Sequence, residues 1–101
     1  MTQKRWDRLV DAAIGGPVTL GTMFGSKGLR TGTKFFAIWW HGQLVLKLPA
    51  ARIGELVRAG EGAPFEPMAG RLMNGWLVIV ATSDWSVLAE EACVFVQSQQ
   101  R

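Results

Sequence analysis

One cysteine, one histidine, no long apolar run and few charges already exclude a good deal in this chain. Cys93 alone forms no intrachain disulfide, which fits a reducing compartment and leaves the core to hold the fold. Every apolar run falls far short of the roughly 20 residues that span a bilayer. The polar start, Thr2-Gln3-Lys4-Arg5-Trp6-Asp7, lacks the apolar centre of a secretion signal. Together these point to a cytoplasmic protein with no membrane contact. Charged residues make up 19% of the chain and hydrophobic ones 49%, so some apolar surface is expected to meet a partner, and a homodimer is the simplest partner. The net charge of +3 is a mild excess, thinner than the dense basic stripe of a strong nucleic-acid binder.

No repeat, low-complexity tract or linker divides the 101 residues, so residues 1–101 read as one domain with one core. Trp6, Leu9, Val10, Ala13 and Ile14 recur at helical spacing as one buried stripe, and Gly15-Gly16-Pro17 ends that helix. Val18 to Phe24 alternates as a strand, and room remains for a short strand at Gly28-Leu29-Arg30. Lys34 to Trp40 is the central strand. Strict alternation puts Phe35, Ala37 and Trp39 on one face and Phe36, Ile38 and Trp40 on the other. His41-Gly42 supplies a tight two-residue turn. In the return strand Leu44, Leu46 and Leu48 form the core face and Gln43, Val45 and Lys47 the opposite one.

Pro49 opens a second helix from its first turn, with Ile53, Leu56 and Val57 as the apolar face. Ala63-Pro64-Phe65-Glu66-Pro67-Met68 is an extended segment, Ala69-Gly70-Arg71 turns the chain, and Trp76 to Ala81 is the last strand. Thr82-Ser83-Asp84 offers caps to a final helix. Its stripe of Trp85, Leu88, Ala89, Ala92, Phe95 and Val96 is wider than one sheet face needs. The order α-β-β-β-α-β-β-α describes an α+β fold, an antiparallel sheet with helices against it in two layers.

Several of these segments together resemble the TfoX N-terminal domain family: Met23-Phe24-Gly25, Gly28-Leu29, Lys34-Phe35-Phe36-Ala37, Gly42-Gln43-Leu44-Val45-Leu46-Lys47, Pro64-Phe65-Glu66-Pro67 and Trp76. The resemblance covers about residues 6 to 98. It implies a YjbR-like, secretion-chaperone-like architecture. It also implies a bacterial regulatory role, since the family's namesake regulates competence genes. In the namesake a second, C-terminal domain follows; this chain stops at Arg101, so a stand-alone domain is expected. Trp39-Trp40 stands where smaller or mixed residues are expected. The family brings no catalytic residues to carry over.

The residues themselves agree with a non-enzymatic protein, and neither a cofactor nor a metal is expected. A general base, a metal site or a His–Cys pair needs partners within reach of His41, and Cys93 lies in a distant helical stripe as apolar filler. Gly25, Gly28 and Gly32 open into a strand rather than a helix, so they serve a bulge or bend and not a phosphate cradle. Ser26-Lys27 is a weak anion-site candidate by the same test. Glu90-Glu91 reads as a solvated helix face. The best interaction surface is the aromatic and basic set Lys34, Trp39 or Trp40, Lys47 and Arg71. Such a set stacks and neutralises single-stranded nucleic acid, or anchors a protein interface, or packs in the core. The expected function is therefore a regulatory or protein-interaction domain, a homodimer through the second sheet face. A nucleic-acid-contacting regulator and a small-molecule-binding protein are the alternatives.

Overall fold

The computed structural model describes residues 2–23, 25–68 and 70–100. Phe24, expected to end the first strand, and Ala69, expected in the turn after Met68, lie outside the described residues. The elements are α1 (Thr2–Ala13), β1 (Val18–Met23), β2 (Ser26–Thr31), β3 (Lys34–Trp40), β4 (Gln43–Lys47), α2 (Ala50–Arg58), β5 (Gly62–Pro64), β6 (Trp76–Ile79) and α3 (Trp85–Gln99). This is the expected α+β succession, with the short segment around Leu29 grown into the whole of β2. The strands form one antiparallel sheet in the order β1-β2-β3-β4-β6-β5.

All three helices contribute to the same core cluster. Trp6 and Leu9 of α1, Leu56 of α2, and Trp85, Leu88, Ala89, Ala92 and Val96 of α3 meet Leu29, Leu44, Leu46, Leu77 and Ile79 of the sheet. Leu44, Leu46 and Leu48 face this layer as their alternation requires. Two residues read as part of the helical stripes do not stay there. Ile14 falls one residue past α1 and is 46% exposed, and Val57 of α2 is 41% exposed. Pro49 is the residue that caps α2, extended at φ −60° and ψ 148°, so the helix proper begins at Ala50.

Strict alternation fails in β3, and the cause is visible in the register. Leu29 pairs with Ala37 while Arg30 pairs with Phe35, so Phe36 is an extra residue bulged out of the β2·β3 ladder. The bulge resets the phase. Phe36, Ala37 and Trp39 join the helix-side cluster, whereas Phe35, Ile38 and Trp40 lie on the opposite face. That second face carries its own cluster of Ile38, Val45, Phe65 and Trp76, flanked by Met23, Phe35, Trp40, Met73 and Val78. Its cover comes from the connection between β5 and β6, which folds back over the sheet: Met73 N–H donates to Phe65 O at 2.9 Å and Trp76 N–H to Met73 O at 3.3 Å.

Two glycines make room for the displaced ring. Gly21 and Gly28 pair across β1 and β2, and a Cβ on Gly28 would stand 2.9 Å from Phe35 Cδ2 and 2.7 Å from Ala37 O. A Cβ on Gly21 would meet the tip of the same ring at 3.0 Å. The two glycines thus form a flat shelf under Phe35, while Gly25 and Gly32, at φ of 74° and 63°, make the bends expected of them. The turn at His41-Gly42 is as expected, with φ of 49° and 78°, both in the left-handed region that a two-residue hairpin of this twist demands.

Candidate functional site

Trp39 and Trp40 sit back to back across the sheet. Trp39 stacks on Trp6 with centroids 5.5 Å apart and planes 12° apart, and meets Trp85 edge-on at 5.9 Å. Its Nε1 donates to Gln3 Oε1 at 3.1 Å, so the ring belongs to the α1–α3 seam. Trp40 stands edge-on to Phe65 at 5.5 Å and to His41 at 4.5 Å. Both rings are half-buried. His41 therefore has an aromatic neighbour and a turn to make, in keeping with its structural reading.

The lysines lie elsewhere. Lys34 opens β3 opposite Thr31, and Lys47 closes β4 opposite Trp76, so the two reach the same end of the sheet. There they line a cleft of about 460 Å³ with Phe35, Trp76, Val96 and Gln99, and no acidic side chain takes part in the lining. Lys47 Nζ rests 5.6 Å from the Trp76 ring centroid, a cation–π distance. Arg71 is exposed in the Met68–Arg71 turn, outside this cleft. Of the five residues, the cleft gathers Lys34 and Lys47, with Phe35 and Trp76 as its aromatics in place of Trp39 and Trp40.

A larger groove runs between α2 and α3. It measures about 550 Å³ and is lined by Pro49, Arg52, Val87, Glu90, Glu91, Val94 and Phe95. Val87 and Val94, two helical turns apart on α3, are 52% and 58% exposed. Arg52 bridges the helices: its Nε donates to Glu91 Oε1 at 2.9 Å, its Nη2 to Glu91 Oε2 at 3.2 Å, and its Nη1 to Glu55 Oε1 at 3.2 Å. These bonds, Glu91 first and Glu55 second, hold the Arg52 pKa above its ordinary value. Glu91 is thus an ion-pair partner and not the freely solvated residue the sequence suggests. Sequence reasoning missed Val87 and Val94, which lie on the side of α3 away from its core stripe; two valines seven residues apart outside that stripe were the signal for them.

The remaining chemistry-bearing groups have structural work. Arg5 donates to Ala81 O and, at 3.0 Å, to Ser83 O, while its guanidinium carbon lies 3.8 Å over the Trp85 ring. Asp84 caps α3, accepting from Val87 N–H at 3.2 Å. Buried Ser83 donates to Glu61 at 3.0 Å. Gln97 and Gln100 of the α3 end reach Thr31 Oγ1 and Thr31 O at 3.0 and 2.7 Å. Cys93 borders an apolar crevice of about 300 Å³ between α1 and α3, floored by Val18 and Phe36. Burial pushes its thiol pKa up, partly offset by a hydrogen bond with Thr31. Among the described residues, no group of three His, Cys, Asp or Glu side chains converges to hold a metal, and no helix is long and apolar enough to cross a membrane.

A single antiparallel sheet, three helices on one face and a folded-back loop on the other define a small α+β domain. The sequence matches the model of the TfoX N-terminal domain over residues 9–93, and the chain belongs to that family. No curated protein matches it.

Proposed function

We propose that this domain is a non-enzymatic, competence-regulator-like module that acts by binding another protein, and that the α2–α3 groove receives the partner. The groove's exposed valines carry the reading. Val87 and Val94 place aliphatic surface in solvent beside Phe95 and Pro49, where an interface would remove it from water at roughly 25 cal/mol per Å². Glu90 and Glu91 line that apolar floor with Arg52 as the one cation among the lining residues, and Arg52 is shared with Glu55 outside the groove. The occupant that fits is an amphipathic helix of a partner protein, apolar along one side with lysine or arginine beside it. His41 in a hairpin turn and Cys93 in the helix layer are far apart in role and setting, in keeping with a protein that binds rather than catalyses.

Selection of displayed helical peptides against the folded domain tests this. Recovered binders are expected to shift the NMR signals of Val87, Val94 and Phe95 and to lose affinity at least tenfold with Val87→Asp and Val94→Asp. Binders that shift other residues and ignore both substitutions would overturn the groove assignment.

The lysine cleft favours a second reading, contact with nucleic acid. Lys34 and Lys47 bring two positive charges to one end of the sheet beside Phe35 and Trp76. Titration with single-stranded DNA at rising salt is the check. Binding should weaken steeply with salt through counterion release, and absence of binding at low salt removes this reading.

A further inference from the structure

The sheet ends in two unlike edges. At one edge β5 has three residues, finishes in Pro64, which has no N–H to offer, and packs beside α2. At the other edge β1 runs for six residues, Val-Thr-Leu-Gly-Thr-Met, with no charge, no proline and no break in its pairing to β2. Edge strands are ordinarily blunted by lysine, proline, a bulge or brevity. The β1 edge has none of these within its length.

The hydrogen bonds show which groups it leaves open. Gly15 N–H donates to Val18 O at 3.2 Å and Val18 N–H to Gly15 O at 3.0 Å, so Val18 uses its backbone groups on the side away from β2. Direction alternates along a strand, so Leu20 and Thr22 aim their N–H and C=O groups at that same side. Among the described residues no backbone bond reaches them there. Leu20 is also 43% exposed on the helix-side face.

We infer that β1 pairs antiparallel with β1 of a second copy of this chain, with Gly21 on the two-fold axis. In that register Leu20 faces Thr22 of the second copy and Thr22 faces its Leu20, and each pair exchanges both backbone bonds. The opposed glycines form the close, non-hydrogen-bonded pair at the centre, where Cα atoms approach to about 4.5 Å. The Gly15–Val18 bridge stops the ladder beyond Leu20 at each end. Because Pro64 and brevity blunt the far edge, the same contact cannot propagate, and the product is a closed dimer rather than a fibre. This inference is independent of the α2–α3 groove, which lies on the helix layer and is left open by edge pairing.

Light scattering from micromolar to millimolar protein, with amide exchange on the same samples, tests the register. The expected mass rises toward twice the 11.1 kDa of one chain, and Leu20 and Thr22 amides gain protection as it does. Thr22→Pro removes an N–H that gives nothing to β2, and Leu20→Lys adds an edge charge. Each should weaken dimerisation at least tenfold, while circular dichroism stays that of the folded monomer. If Thr22→Pro fails to fold, Leu20→Lys and the exchange pattern decide alone. A one-chain mass at millimolar protein would overturn the inference. So would a dimer indifferent to Leu20→Lys, or one whose Leu20 and Thr22 amides stay unprotected.

Discussion

Trp39 and Trp40 are neighbours in sequence, and the sheet places them in different kinds of interior. Trp39 enters a layer made of three helices, where Trp6, Trp85 and a row of leucines surround it. Trp40 enters a smaller cluster whose lid is the irregular chain between β5 and β6. The helix-side core is built from elements that carry their own backbone hydrogen bonds. The loop-side core depends on a few bonds such as Met73 N–H to Phe65 O. The difference teaches that one sheet can have a structural face and a face whose cover is separately removable.

The largest effect expected is on the helix side. Trp6→Ala deletes a ring that is 1% exposed and stacked on Trp39, at a cost of about 3–5 kcal/mol, a large part of what a domain of this size has. Urea denaturation should show most of the folded population lost. Phe65→Ala is expected to cost about 3 kcal/mol, near the lower end for such a truncation. Here the faces should part company: amide exchange at Met73 accelerates while α1 and α3 keep their protection. If both faces exchange together, the distinction between them fails.

Smaller changes sharpen it further. Gly28→Ala should destabilise by about 1–3 kcal/mol, more than Gly21→Ala, because its Cβ would press on Ala37 backbone as well as on Phe35. Equal losses in thermal melts would mean that Phe35 does not lie on the glycine shelf. On the helix layer Gly54→Ala is expected to gain about 0.5–1 kcal/mol, since the new methyl would meet only the flexible tip of Arg58, at 3.5 Å. Cys93 reports on the helix side alone. Its raised pKa keeps the thiol protonated, so alkylation should be slower than for a free thiol, faster in Trp6→Ala and unchanged in Phe65→Ala. The folded chain holds that proton more tightly than the unfolded one, so stability is full below the ordinary thiol pKa and declines as pH climbs toward the folded value.

Much of the helix side was legible in the sequence. Leu44, Leu46 and Leu48 alternate as a strand on a core must, and Trp85, Leu88, Ala89, Ala92 and Val96 recur as a helix stripe must. Those periods are local properties. The phase reset at Phe36 is not local, because a bulge exists only relative to the partner strand, and nothing in Lys34–Trp40 announces how β2 will align. For the same reason strict alternation puts Phe35 on the wrong face, and the pairing that brings Lys47 to Trp76 likewise exists only between strands. The lid over Trp40 was equally hidden: its prolines indicate an extended chain, and only long-range packing decides where that chain lies.

The clamp formed by Arg5 has a consequence in time. Its carbonyl partners, on Ala81 and Ser83, stand 76 and 78 residues further along the chain, and the ring beneath it is Trp85. A ribosome delivers α1 long before any of them. Trp6 can stack on Trp39 during most of synthesis, but its helix lacks the Arg5 anchor until the later residues arrive, and a lone helix of 12 residues is marginal in water. Arrested nascent chains are therefore expected to show α1 amides unprotected until residues 81–85 have cleared the exit tunnel. The helix that Arg5 anchors is thus secured only once the residues just before and at the start of α3 have arrived.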